Sequence, residues 1–93
     1  DPRNVDVYYS RAGARKRQGD LVGAIADYGR AIEINPRFAA AYTNRGSARY
    51  SRREFRAAFD DFQKALEVAP ENWRYRRMTE ENLERARRAL GNQ

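Results

Sequence analysis

Three prolines, Pro2, Pro36 and Pro70, stand 34 residues apart, and the chain between them repeats with that period. Laying residues 5–36 on 39–70 superposes Tyr8 on Tyr42, Arg11 on Arg45, Ala14 on Ala48, Arg15 on Arg49, Ala24 on Ala58, Asp27 on Asp61, Ala31 on Ala65, Glu33 on Glu67 and Pro36 on Pro70. Other positions change within type, as Leu21 to Phe55, Ile25 to Phe59, Tyr28 to Phe62, Ile32 to Leu66 and Ile34 to Val68. A unit that keeps its apolar positions through a fixed period cannot bury them alone and must stack on its neighbour.

Within each unit the apolar spacing is helical. Leu21, Ala24, Ile25, Tyr28, Ala31 and Ile32 recur at three and four, as do Phe55, Ala58, Phe59, Phe62, Ala65 and Leu66. A second helix-length stretch precedes each, over roughly 5–18 and 39–52, where Ala12 and Gly46 are small enough to let two helices approach. Gly19 and Asp20 form a turn-and-cap pair between the first two helices, whereas the second unit has Arg53 and Glu54 there and lacks the glycine. Pro36 and Pro70 end the second helices, since proline has no amide to donate.

Tyr42, Gly46, Ala58, Phe62 and Pro70, and likewise Tyr8, Ala12, Ala24, Tyr28 and Pro36, resemble the aromatic, small, alanine, aromatic and proline pattern of the tetratricopeptide repeat, or TPR, over residues 2–72. The resemblance implies an all-α solenoid of α-α hairpins: repeat one at 5–36 with a lead-in at 1–4, repeat two at 39–70, and a C-terminal capping helix at 73–90, five helices in a single domain over 1–93. Arg11 and Arg45 stand where the family usually has leucine, and Arg15 and Arg49 where an aromatic is common. Because Arg11 and Asp27, like Arg45 and Asp61, are sixteen residues apart on the two helices of one hairpin, a cross-hairpin ion pair is expected in each repeat. Separate solvated charges are the alternative.

The remaining segment reads as one helix, with Tyr75, Met78, Thr79, Leu83, Ala86 and Leu90 as its apolar stripe and Trp73 packed on the second hairpin, an exposed ligand anchor being the alternative for Trp73. Asp1 and Pro2 align with the closing loop Asn35-Pro36. The chain is therefore expected to be a fragment of a longer protein, with a stand-alone module the alternative, and its uncovered first helix is a surface for self-association.

Composition narrows the function. The 93 residues include neither Cys nor His, so a disulfide, a thiolate nucleophile, an imidazole base and the usual zinc or haem ligands are excluded. Ser10, Ser47 and Ser51 have no histidine to activate them, and Asp60 and Asp61 point about 100° apart on a helix. No enzyme, cofactor or metal is expected. No apolar run is long enough for a membrane span. Cytoplasmic localisation is the default where nothing marks a compartment. The net charge of +6 comes from 17 Arg and two Lys among 13 acidic residues, with the excess greatest after residue 72.

In TPR proteins the first helices of successive units line a concave groove that holds a peptide or partner helix, so the resemblance implies a protein–protein interaction module acting as scaffold or adaptor. The groove candidates are Tyr9, Ser10, Gly13, Lys16 and Arg17, then Thr43, Asn44, Ser47 and Tyr50, then Arg74, Arg77, Met78 and Glu81. Tyrosines give flat contact area, Asn44 can pair with a peptide backbone and arginines can grip carboxylates, which fits an extended segment with acidic groups. Peptide contact is assigned to Tyr9, Lys16, Asn44, Ser47, Tyr50, Arg74 and Arg77. The family's clamp for chaperone tails, two asparagines with three basic residues, aligns here with Tyr9, Gly13, Asn44, Arg74 and Met78 and is largely absent. A second function class is a basic rim of Lys16, Arg17, Arg49, Arg52, Arg53, Arg56, Arg85, Arg87 and Arg88 that would hold nucleic acid or another polyanion through phosphate contacts.

Overall fold

The computed structural model describes residues 3–91; Asp1 and Pro2, read above as a closing loop, lie outside the described residues. Five helices follow one another: α1 (Val5–Arg17), α2 (Leu21–Ile34), α3 (Ala39–Ser51), α4 (Phe55–Val68) and α5 (Arg76–Gly91). α1 packs on α2 and α3 on α4 as hairpins, α2 packs on α3, and α5 covers α4, giving the all-α hairpin stack expected from the period.

Short side chains make the stack tight. Ala12, Ala24, Tyr28 and Ala41 form one buried cluster under Tyr9, Ile32 and Phe38, and Ala58, Phe62 and Ala86 form another under Tyr50, Phe59 and Leu83. Gly46 faces Phe62 so closely that a Cβ there would lie 2.7 Å from the ring, inside van der Waals contact. The role expected for small residues on the first helices is thereby met in the second hairpin. Of the apolar positions kept by the period, Ile34, in the last turn of α2, is exposed.

Both intra-hairpin turns close alike. The amides of Gly19 and Asp20 donate to the carbonyls of Lys16 and Arg15, and those of Arg53 and Glu54 donate to the carbonyls of Tyr50 and Arg49. This closure puts the second residue after the helix in the left-handed region, which glycine adopts freely and arginine only at a cost. Gly19 has φ 86°, and Arg53 is forced to φ 64°. Asp20 then caps α2 by accepting from the Gly23 amide at 2.9 Å, while Glu54 makes no such bond to α4.

The expected ion pairs form. Arg11 donates through Nε and Nη2 to the two oxygens of Asp27 at 2.7 and 2.8 Å, and Arg45 does the same to Asp61 at 2.9 and 2.8 Å. A third donor joins each: Arg15 reaches Asp27 and Arg49 reaches Asp61, both at 2.9 Å. Both departures from the family pattern therefore serve one buried carboxylate per repeat. The hydrogen bond from Arg11 holds the Asp27 carboxyl below the ordinary carboxylate range despite its burial.

The last helix differs from its expected form. It begins at Arg76, not near residue 73, because Trp73, Arg74 and Tyr75 belong to turns closed by the Trp73 amide on the Pro70 carbonyl and the Arg76 amide on the Trp73 carbonyl. Seven residues thus separate α4 from α5, where four separate α2 from α3. Thr79 and Ala86 are buried and Leu83 packs on the second cluster, but Tyr75 and Met78, expected in the same stripe, are 43% and 45% exposed. Unwinding the first turn carries Tyr75 off the helix, and Met78 lies on the open side of α5.

Candidate functional site

One face of α3 carries Ala40, Thr43, Asn44, Ser47, Tyr50 and Ser51, a spacing of three and four that aligns them along the helix. Three depressions open along this face. The largest, about 570 Å³, lies between α1 and α3 and is lined by Tyr9, Ser10, Gly13, Lys16, Arg17, Tyr28 and Asn44. A second, about 260 Å³, lies between α3 and α5 and is walled by Tyr9, Ala40, Thr43, Asn44, Trp73, Tyr75 and Met78. The third, about 190 Å³, lies between Ser47, Tyr50 and Ser51 of α3, Phe62 of α4, and Asn82 and Arg85 of α5. Together they make an interrupted groove whose floor is the first helix of the second hairpin.

Tyr9 and Asn44 join the first two depressions. Asn44 Nδ2 donates to the Tyr9 hydroxyl oxygen at 2.9 Å, and the Tyr9 ring rests on Phe38 at 4.6 Å and meets the Tyr28 ring edge at 5.8 Å. The Asn44 Oδ1 and the Tyr9 hydroxyl proton stay unused among the described residues, a donor and an acceptor side by side as an extended backbone requires. Burial raises the Tyr9 hydroxyl above its ordinary value and pushes Tyr28 up to about 12, so both rings stay neutral donors across the working range.

At the other end of the largest depression stand Lys16 and Arg17. Burial pushes the Lys16 ammonium below its ordinary value. Among the described residues no carboxylate pairs with either cation, whereas Arg11, Arg15, Arg45, Arg49, Arg52, Arg56, Arg87 and Arg88 all have acidic partners.

Of the residues assigned to peptide contact, Tyr9, Lys16 and Asn44 share the largest depression, and Ser47 and Tyr50 share the smallest. Arg74 and Arg77 line none of the three. Arg74 sits in the connection before α5 with its guanidinium 5.1 Å over the Tyr75 ring, because the turn that would have placed it on a helix is unwound. Arg77 is exposed in the first turn of α5. Thr43 is buried, its hydroxyl 3.1 Å from that of Thr79, so it ties α3 to α5 instead of meeting a ligand with its polar group. Of these walls, Trp73 was expected on the second hairpin with an exposed ligand anchor as the alternative, and Tyr75 was not among the candidates. The aromatic character of Tyr75 was the available signal, masked by its apparent place in a packed stripe.

Hairpins of antiparallel helices stacked about a groove lined by the first helix of each define a helical-repeat scaffold. Two family models match: one described as TPR repeat over residues 14–52, and one described as tetratricopeptide repeat over residues 39–72. The chain belongs to the tetratricopeptide repeat family, and its fold is that of a helical-repeat scaffold. Among solved structures it is similar to the first TPR of Spaghetti (RPAP3) bound to the HSP90 peptide SRMEEVD, at 28% identity with TM-score 0.87, covering 98% of this chain and 69% of that one. It is also similar to the TPR2B domain of yeast Sti1 in complex with pHsp70, at 27% identity with TM-score 0.88, covering 94% of this chain and 71% of that one. No curated protein matches the chain.

Proposed function

We propose that this chain is an adaptor module whose groove holds an extended, acidic segment of a partner protein. The observation that carries this reading is the Tyr9–Asn44 pair, which links two depressions and keeps one donor and one acceptor unused. The two similar structures support it, since both were solved with a chaperone or its peptide. The aligned clamp positions hold Tyr9, Gly13 and Met78, which carry no charge, so recognition of a partner here rests on other residues.

Binding of the heptapeptide SRMEEVD by titration calorimetry tests the reading. Asn44→Ala combined with Arg74→Ala is expected to weaken binding at least tenfold with the helical signal retained, through the loss of Asn44. Charge reversal at Arg53 and Arg87 is expected to leave it unchanged. Loss of binding on charge reversal would move the site to the basic rim. Five of the nine rim cations, Arg49, Arg52, Arg56, Arg87 and Arg88, already neutralise Asp61, Glu54, Asp60 and Glu84, which weighs against a phosphate surface there.

Self-association through α1 belongs to the same proposal. Val7 is 50% exposed, while Ala41, which the period places at the same position in α3, is fully buried. Light scattering across a concentration series tests it: a rising mass that Val7→Glu abolishes supports contact through this face, and a constant monomer mass removes it.

A further inference from the structure

Resting on the peptide-groove reading, we infer that the groove recognises an internal two-part signal: a side-chain carboxylate held by Lys16 and Arg17, and a large apolar side chain seated among Trp73, Tyr75 and Met78. The two parts lie on opposite sides of the Tyr9–Asn44 bridge, which belongs to both depressions. No free C-terminal carboxylate is required.

The charged end follows from unsatisfied cations. Lys16 is half-buried without a counter-ion among the described residues, which is unfavourable for an ammonium, and burial lowers its proton affinity. A ligand carboxylate there would supply the missing charge, and Arg17, one residue on and lining the same depression, could bond its second oxygen. The apolar end follows from the opposite condition. Its walls carry no charged residue, the Thr43 hydroxyl is occupied by Thr79, and the open polar valences are confined to the Tyr9–Asn44 bridge that it shares with the first depression. The Trp73 and Tyr75 rings meet edge to face at 5.8 Å and form a rigid wall, with the flexible Met78 side chain beside them. At about 260 Å³, the depression suits a single large side chain.

The spacing can be bounded. Lys16 is seven residues along α1 from Tyr9, about 10 Å of helix. The two depressions are offset by about one interhelical spacing, also about 10 Å. The diagonal of about 14 Å is covered by about four residues of extended chain.

The test uses acetylated, amidated octapeptides of Gly and Ser carrying one Glu and one Leu four positions apart, in either order. Versions with Glu replaced by Gln or Leu by Ser, and SRMEEVD with a free or amidated C-terminus, serve for comparison. The better order of the two-part peptide is expected to bind at least tenfold more tightly than either single-feature peptide. Lys16→Gln should erase the advantage of Glu while keeping that of Leu, and Met78→Asp should do the reverse. Amidation of SRMEEVD should change its affinity less than threefold. If the two-part peptide gains nothing over its single-feature versions, or amidation abolishes SRMEEVD binding, the inference is overturned and the groove reading stands. If no peptide binds, both fall.

Discussion

Arg76 stands 34 residues after Tyr42 and repeats its contact: the Tyr42 hydroxyl donates to the Pro36 carbonyl at 3.0 Å, and Arg76 Nη2 donates to the Pro70 carbonyl at 3.1 Å. The longer arginine also reaches the carbonyls of Ala69 at 3.1 Å and Leu66 at 3.4 Å, so it satisfies the end of α4 and fixes the start of α5. Its Nε is buried without a partner among the described residues. Charge-assisted bonds of this kind contribute about 1.5–3 kcal/mol. Arg76→Ala is therefore expected to cost about 2 kcal/mol in urea unfolding and to raise hydrogen exchange in α5. Tyr42→Phe, which removes one neutral bond, should cost about 1 kcal/mol.

The two carboxylates at the hairpin cores differ in their surroundings. Arg45 is 19% exposed beside Asp61, and Arg11 is 49% exposed beside Asp27. Removing the acid leaves its arginines unpaired, and the more buried pair has less access to water for compensation. Asp61→Ala is expected to cost about 3 kcal/mol and Asp27→Ala about 2 kcal/mol, measured as midpoint shifts at equal m-value. Equal losses would mean that exposure of the arginines does not govern the cost.

Asp27 also sets a pH dependence. Its folded-state value lies below the unfolded one, so its contribution is complete above the ordinary aspartate range, about 4, and is lost as pH falls through the lower, folded value. Thermal unfolding of the wild type should fall more steeply below about pH 4 than that of Asp27→Asn.

The second turn carries a correctable strain. Arg53 occupies the left-handed region at φ 64° where its counterpart Gly19 sits at 86°. Glycine there removes a penalty of about 1 kcal/mol, so Arg53→Gly should stabilise the fold by roughly that amount, less the contact of the guanidinium with the Phe55 ring. Gly46→Ala should do the opposite despite its better helix propensity, costing about 1–2 kcal/mol as Phe62 is displaced.

Which features could be read from the chain depended on whether they occurred twice. The Arg11–Asp27 pair was legible because the same separation recurs at Arg45 and Asp61. The added arms, Arg15 and Arg49, also recur, but four residues along the same helix, and their convergence on one carboxylate needs the inter-helix distance. The α3 candidates Asn44, Ser47 and Tyr50 followed from the resemblance to the repeat family. The α5 side of the groove did not, because the period says nothing about a turn present only once. Arg76 takes over the anchoring position of Tyr42, the three residues before it leave the helix, and Trp73 and Tyr75 become walls while Arg74 moves away.

The groove centred on Tyr9 and Asn44 is proposed as the peptide site. Amide chemical shifts recorded while SRMEEVD is titrated into the labelled chain test it most directly. Shifts confined to residues 9–17 of α1, Tyr28, 43–51 of α3 and 73–85 are predicted, with the outer faces of α2 and α4 unmoved. Shifts centred on Arg52, Arg53, Arg56 and Arg87, with the Tyr9 and Asn44 amides unmoved, would contradict it.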